Sequence, residues 1–139
     1  MNLQAMVTDN ISELLVKILE FTQNRQKILT LNINRMHQHG FVPMDLAVEE
    51  FSDLLNTALE EHMLNQRLVL CDTENIKFGA GGDLEVKPVI DRDAFALLEE
   101  CQDEYIEDQI KRLLENSLNQ RVAAELLKER ETHTMVPSE

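Results

Sequence analysis

The chain has 139 residues, 28% of them charged, with four Gly, three Pro, one Tyr, no Trp and a formal net charge of −13. That length suits one domain and leaves little loop material for catalytic architecture, and so acidic a surface repels phosphate backbones, which disfavours nucleic-acid partners. The charge is uneven: residues 1–44 carry four Lys/Arg and three Asp/Glu, whereas residues 45–139 carry nine and 23, so the near-neutral N-terminal part is the one expected to be buried or partner-facing.

The first helix is expected over about 9–37. Thr8, Asp9 or Asn10 can cap its free first-turn N–H groups, and its apolar face follows three- and four-residue steps through Ile11, Leu14, Leu15, Ile18, Leu29, Ile33 and Met36. Thr22, Arg25 and Gln26 interrupt that face midway, where burial without partners is costly. They are either satisfied within the chain, as a register device, or reserved for a contact between subunits. Because of this polar patch, residues 1–36 and the end of the last helix are expected to open more readily than 45–66 and 94–115. Gly40 and Pro43 close the helix, and Asp45 is placed to cap the next one, over about 45–68, whose apolar side holds Leu46, Phe51, Leu54, Leu55, Ala58, Leu59 and Met63. Residues 69–90, with Leu68-Val69-Leu70-Cys71 and Leu84-Glu85-Val86 flanking Gly79-Ala80-Gly81-Gly82-Asp83, read as a Gly-rich loop or small hairpin.

The third helix begins at Asp91 or Asp93 and continues without Gly or Pro over about 93–130, some 35 to 40 residues or roughly 55 to 60 Å. Its apolar positions include Leu98, Cys101, Tyr105, Ile106, Ile110, Leu113, Leu114, Leu118, Val122 and Leu126. From Ile110 to Leu126 the step is four residues, so the stripe drifts about 40° per step around a helix of 3.6 residues per turn. One facing helix cannot cover it, and the C-terminal half is expected to meet more than one neighbour. Eight acids against one Arg in 91–108, then five Lys/Arg against three Glu in 111–130, match the helix dipole. The fold class expected is all-α: a helical hairpin completed by a long C-terminal helix in a coiled-coil-like bundle.

Catalytic constellations are weak. His37 and His39 with Asp45 are a low-specificity metal pattern beside an ordinary polar helix terminus. The carboxylates Glu99 to Asp108 lack a Glu-x-x-His arrangement, and the Gly79–Gly82 run lacks the Lys-Ser/Thr of a phosphate loop. Cys71 and Cys101 form no Cys-x-x-Cys pair and read as reduced. No enzymatic activity, metal or cofactor is expected. Asp9, Asn10 and Glu13 interrupt any apolar leader at the start, so a cleaved signal is not expected, and no apolar run approaches the roughly 20 residues of a membrane span.

The stretch Asn24-Arg25-Gln26-Lys27-Ile28-Leu29-Thr30-Leu31-Asn32-Ile33-Asn34, followed by Gly40-Phe41 and by Asp45-Leu46 leading to Phe51, resembles the N-terminal signature of flagellar basal-body rod proteins, most closely the proximal-rod B type. In that family an Arg-Gln pair leads to an Asn-Ile-Ala-Asn run, a Thr-Pro-Gly-Tyr turn and an Asp-Leu-x-Phe segment. Here the run reads Asn32-Ile33-Asn34-Arg35 and the turn His37-Gln38-His39-Gly40-Phe41. Pro88-Val89-Ile90-Asp91-Arg92-Asp93 replaces the Gly-Asn-Asn-Val-type segment that precedes the family's closing helix. The resemblance implies a non-catalytic structural subunit of the periplasmic rod, exported from the cytoplasm by the flagellar type III apparatus without a cleaved signal. Its partners would be other rod and basal-body proteins and the export apparatus. Arg25, Gln26, Asn32, Ile33 and Phe41 are matched positions and, with Leu113, Leu118 and Val122 of the drifting stripe, form the expected subunit interface. An acidic cytoplasmic chaperone or adaptor of a type III system is the competing expectation.

Overall fold

The computed structural model describes residues 3–135, with side-chain surroundings for residues 10–132. In chain order the elements are α1 (Leu3–Asn34), β1 (Met44–Asp45), α2 (Val48–Asn65), β2 (Ile76–Phe78), β3 (Leu84–Val86), β4 (Val89–Ile90), α3 (Arg92–Glu100) and α4 (Gln102–Met135). The chain is 67% helical, and two small antiparallel sheets, β1 with β4 and β2 with β3, correct the all-α expectation.

α1 is the central element. It starts at Leu3, ahead of the expected Thr8–Asn10 cap; the side chains of Thr8 and Asp9 lie outside the described ones, and Asn10 donates to the carbonyl of Gln66 at 3.3 Å. α2 and α4 both run antiparallel to α1. Phe21 stacks on Phe51 at 4.0 Å between ring centroids, and Asn116 meets the Thr22 carbonyl. After Asn34 the chain leaves by turns, with Arg35 N–H donating to the Leu31 carbonyl at 2.9 Å and Phe41 N–H to Gln38 at 3.1 Å. Gly40 has φ +76°, a conformation that an L side chain rarely adopts.

Asp45 does not cap α2. The helix starts two residues later behind Ala47, without a side-chain cap, because β1 pairs with β4 (Met44 with Ile90, Asp45 with Val89) and turns the Asp45 carboxylate back toward α1. α2 ends at Gln66, in the left-handed conformation at φ 54°. Beyond it β2 and β3 form the small hairpin, with Ile76, Phe78, Leu84 and Val86 in register. This segment is structural rather than loose: Ile76 and Leu84 join Phe21, Leu46, Phe51 and Leu54 in the main core. The Glu20 carboxylate ties the hairpin to α1 by accepting from Leu84 N–H at 2.9 Å.

Asp91 caps α3, accepting from Ala94 N–H at 3.0 Å, in line with the expected start. The expected unbroken helix over 93–130 is instead two, separated by Cys101 in an extended conformation (φ −152°, ψ 101°). Cys101 is therefore a junction residue, not part of a continuous stripe. The physical reason lies in the second core cluster, where Ala94, Tyr105 and Met36 pack together with Leu97, Leu98 and Ile106. In one straight helix residues 94 and 105 would stand about 16 Å apart along the axis, too far to share one Met side chain. The turn at Cys101 brings them together.

Candidate functional site

α4 presents two unlike faces. Toward α1 it places Tyr105, Gln109, Arg112 and Asn116 at three- and four-residue steps and Ala123 seven residues further on, all buried except the partly buried Arg112. That contact is a polar seam. The Tyr105 hydroxyl donates to the Asn32 carbonyl at 2.8 Å, the Asn32 amide donates to Gln109 Oε1 at 2.9 Å and to the Met44 carbonyl at 2.7 Å, and Met44 N–H returns to Asn32 Oδ1 at 3.1 Å. Farther along, Asn116 donates to the Thr22 carbonyl at 2.8 Å while the Thr22 hydroxyl bonds back to the Ile18 carbonyl at 2.8 Å, the way a mid-helix Thr satisfies itself.

The centre of the seam is ionic. Arg25 grips Asp45 through Nε and Nη2, both at 2.9 Å, and Arg112 reaches Asp45 at 3.1 Å, Asp108 at 3.0 Å, and Asp91. Two guanidinium groups and three carboxylates pair where α1, β1, the α3 cap and α4 converge, as groups withdrawn from water require, while the buried Gln109 Nε2 beside them has no hydrogen-bond partner among the described residues. Burial by itself lowers the Arg112 pKa, but the hydrogen bond and charge of Asp91, with Asp108 and Asp45, hold it above its ordinary value. Burial, reinforced by the Asp91 charge, pushes the neighbouring Tyr105 phenol up to about 12.

The opposite face of α4 is apolar and open. Ile110, Leu114, Leu118, Val122 and Leu126 are all exposed, Leu114 at 67% and Leu118 at 61%. As the stripe drifts it leaves the solvent side near Ile110 and reaches a groove at Val122 and Leu126. α2 and α4 each pack on α1 but barely meet one another. The gap between them is a groove of about 430 Å³, floored by Ile18, walled by Val48 and Leu55 on α2, and by Leu118, Val122 and Leu126 on α4. On the α2 side the apolar lip continues through the exposed Leu59 and Met63.

The expected interface residues separate into two groups. Arg25 and Asn32 are hydrogen-bonded inside the chain, Arg25 to Asp45 and Asn32 to Met44 and Gln109. Gln26 is exposed and Ile33, Phe41 and Leu113 are half-buried, whereas Leu118 and Val122 stand open beside the groove. Within the segment expected to open at low cost, Phe21 and Leu29 are core residues, Thr22 and Arg25 are partnered by Asn116 and Asp45, and Gln26 is exposed. Tyr105, Gln109 and Asn116 were missed as site residues. Their spacing of four and seven residues is helical and present in the sequence, masked by the more apolar four-residue stripe.

His37 and His39 lie in the exposed turn after α1, and among the described residues no group of three or more His, Cys, Asp or Glu side chains is arranged to hold a metal. No described helix is long and apolar enough to cross a membrane. No family model, curated protein or solved structure matches the chain.

Proposed function

We propose that this chain is a non-catalytic structural subunit of the bacterial flagellar proximal rod, a rod-protein-like domain that assembles with other rod and basal-body proteins after type III export to the periplasmic basal body. The observation that carries the reading is the open apolar face of α4: a 34-residue helix that turns Tyr105, Gln109 and Asn116 toward its own chain and leaves Ile110, Leu114, Leu118, Val122 and Leu126 exposed. Exposed contiguous apolar surface marks an interaction site, and a drifting stripe suits coiled-coil-like packing against several neighbours, as in a tubular shaft. The Arg25-to-Phe51 resemblance supplies the family, and motility would be the process served. Tagging the protein and looking for it in purified basal bodies tests the proposal; recovery only in the cytoplasm overturns it.

A second reading has its own support. The hydrogen bonds of the polar seam support α1 within one copy, as an acidic chaperone or adaptor of a type III system would need, and the groove would then hold an amphipathic segment of an export substrate. Co-purification with an unstructured flagellar substrate, without incorporation into the rod, would select it.

A further inference from the structure

We propose that the groove between α2 and α4 receives an amphipathic helix of another protein, whose basic end sits in an acidic cavity at the Arg25 end of the groove. The inference deepens the second reading, in which the groove holds a segment of another protein, and gives that segment its conformation and its charge.

Two cavities adjoin along α1. The apolar groove runs from Leu15 and Leu126 to Arg25 and Asn116, ten residues of α1 or about 15 Å, close to three helical turns. Among the described residues Arg25 is the one charged member of its lining. Beyond Arg25 and Val48, which line both, a second cavity of about 600 Å³ opens among the first turns of α2 and α3, the β1–β4 pair and α4. Six carboxylates line it against two guanidinium groups, those of Arg25 and Arg92. Asp45 and Asp91 are paired with arginines, and Glu50 holds Thr73 and Asn75. Glu49, Asp93 and Glu115 are exposed and without a partner among the described residues.

Each feature narrows the occupant. The groove is walled by helices, whose backbone N–H and C=O groups are spent internally, so no strand can pair there; an apolar helix face with anchors at three- and four-residue steps fits instead. Unpaired acids gathered at one end of an otherwise apolar groove, on a chain of net charge −13, select a partner with Lys or Arg at that end. The stripe on α4 is not that partner, since exposed Glu107, Glu115 and Glu125 flank it beside Lys111 and Arg121. α2 and α4 both run antiparallel to α1, so a helix running with α1 lies antiparallel to both walls. Its C-terminal end then meets the acids, where its own dipole also favours cations.

Fluorescence anisotropy of a labelled synthetic helix of about three turns, with Leu at three- and four-residue steps and a Lys-rich last turn, tests this on the whole chain in about 0.15 M salt. The peptide should bind, and exchanging its Lys for Glu or its Leu for Ser should each weaken binding at least ~10-fold. On the protein, Val122→Glu in the groove and Glu49→Gln with Glu115→Gln in the cavity should have effects of the same order, while Glu99→Gln with Glu100→Gln, outside both cavities, should change binding less than about 2-fold. All five positions are exposed, and circular dichroism checks that helix content is kept, with Val122→Ser as a milder form. No binding near millimolar peptide, equal binding of the Glu peptide, or equal losses from the cavity and the remote pairs overturns the inference, the last because net charge alone would then attract the peptide. Binding of dodecylamine without the peptide would assign the groove to a lipid, and self-association abolished by Val122→Glu would assign it to a second copy; either overturns it as well. A chain that binds the peptide but never co-purifies with a flagellar substrate keeps this site and removes the chaperone reading; co-purification that survives Val122→Glu does the reverse.

Discussion

α2 and α4 are both amphipathic helices packed on α1, and they bury opposite kinds of surface. α2 turns Phe51, Leu54 and Ala58 into the core and its acids outward. α4 turns Tyr105, Gln109 and Asn116 inward and holds its apolar row out. Hydrophobic burial is non-directional and proportional to area, so α2 is secured by the ordinary driving force, whereas α4 is positioned by a few directional contacts that must all be made. The contrast shows that an apolar stripe marks where burial is wanted, not that the same chain provides it.

The strongest way to break this contrast is to cut the ionic centre of the seam. Asp45→Ala leaves Arg25 and Arg112, whose side chains are only 11% and 22% exposed, facing each other without a carboxylate between them, and should cost about 3 kcal/mol in urea unfolding; a loss under about 1 kcal/mol would show that the seam does not position α4.

Tyr105→Phe tests the next contact. It leaves the Asn32 carbonyl without its 2.8 Å donor and should cost about 1 to 2 kcal/mol. It also has a pH signature. The fold holds the neutral phenol, with its pKa pushed up to about 12 by burial, so this contribution is intact below the ordinary tyrosine range near ~10 and is lost as pH rises from there toward about 12. Melting temperatures across that window should fall more steeply for the wild type than for the Phe variant, and parallel curves would remove the phenol from the seam.

Leu118→Asp sharpens the comparison from the other side. At 61% exposure the side chain contributes little to one copy, so unfolding of the dilute protein should move by no more than about 0.5 kcal/mol, while assembly weakens. A collapse of the monomer with assembly unchanged would mean that the stripe is internal.

The smallest effect is expected at the hairpin tip. Residues 79–83 close it by hydrogen bonds of 2.8 Å from Gly79 N–H to the Asp83 carbonyl and from Gly82 N–H to Gly79. A neutral linker of equal length that keeps Gly82, with φ +82°, should leave helix content and rod incorporation unchanged. Rodless cells would instead reveal a direct contact at that tip. Amide exchange should then rank the regions: residues 14–32 as protected as α2, and the far part of α4 beyond Asn116 faster than both.

Local signals account for much of what was legible. Three- and four-residue apolar steps marked α1 and α2, the Asp91 cap marked α3, and the glycines between two β-prone runs marked the hairpin. The break at Cys101 left no such mark, because neither Gly nor Pro is needed for it and its cause is a side chain some 65 residues away, Met36. Asp45 misled for a related reason. Its position directly before Leu46 and the apolar run is that of a cap, but Arg25 and Arg112, distant in sequence, compete for the same carboxylate and outweigh one N–H donor. The expected interface was only partly legible: Leu118 and Val122 lie open, whereas Arg25 and Asn32 are occupied within the chain.

Composition and periodicity by themselves determined a mostly helical, strongly acidic chain with a long C-terminal helix whose apolar stripe drifts too far for one neighbour to cover. These follow from local propensity and from the mismatch between a four-residue step and 3.6 residues per turn, which no folding partner changes. Only the tertiary structure decided which face of α4 meets α1, that Asp45 bridges two arginines, and that a groove remains beside α2. Those outcomes depend on which distant groups satisfy one another's charges and hydrogen bonds once water is removed, and that competition is settled in space rather than along the chain.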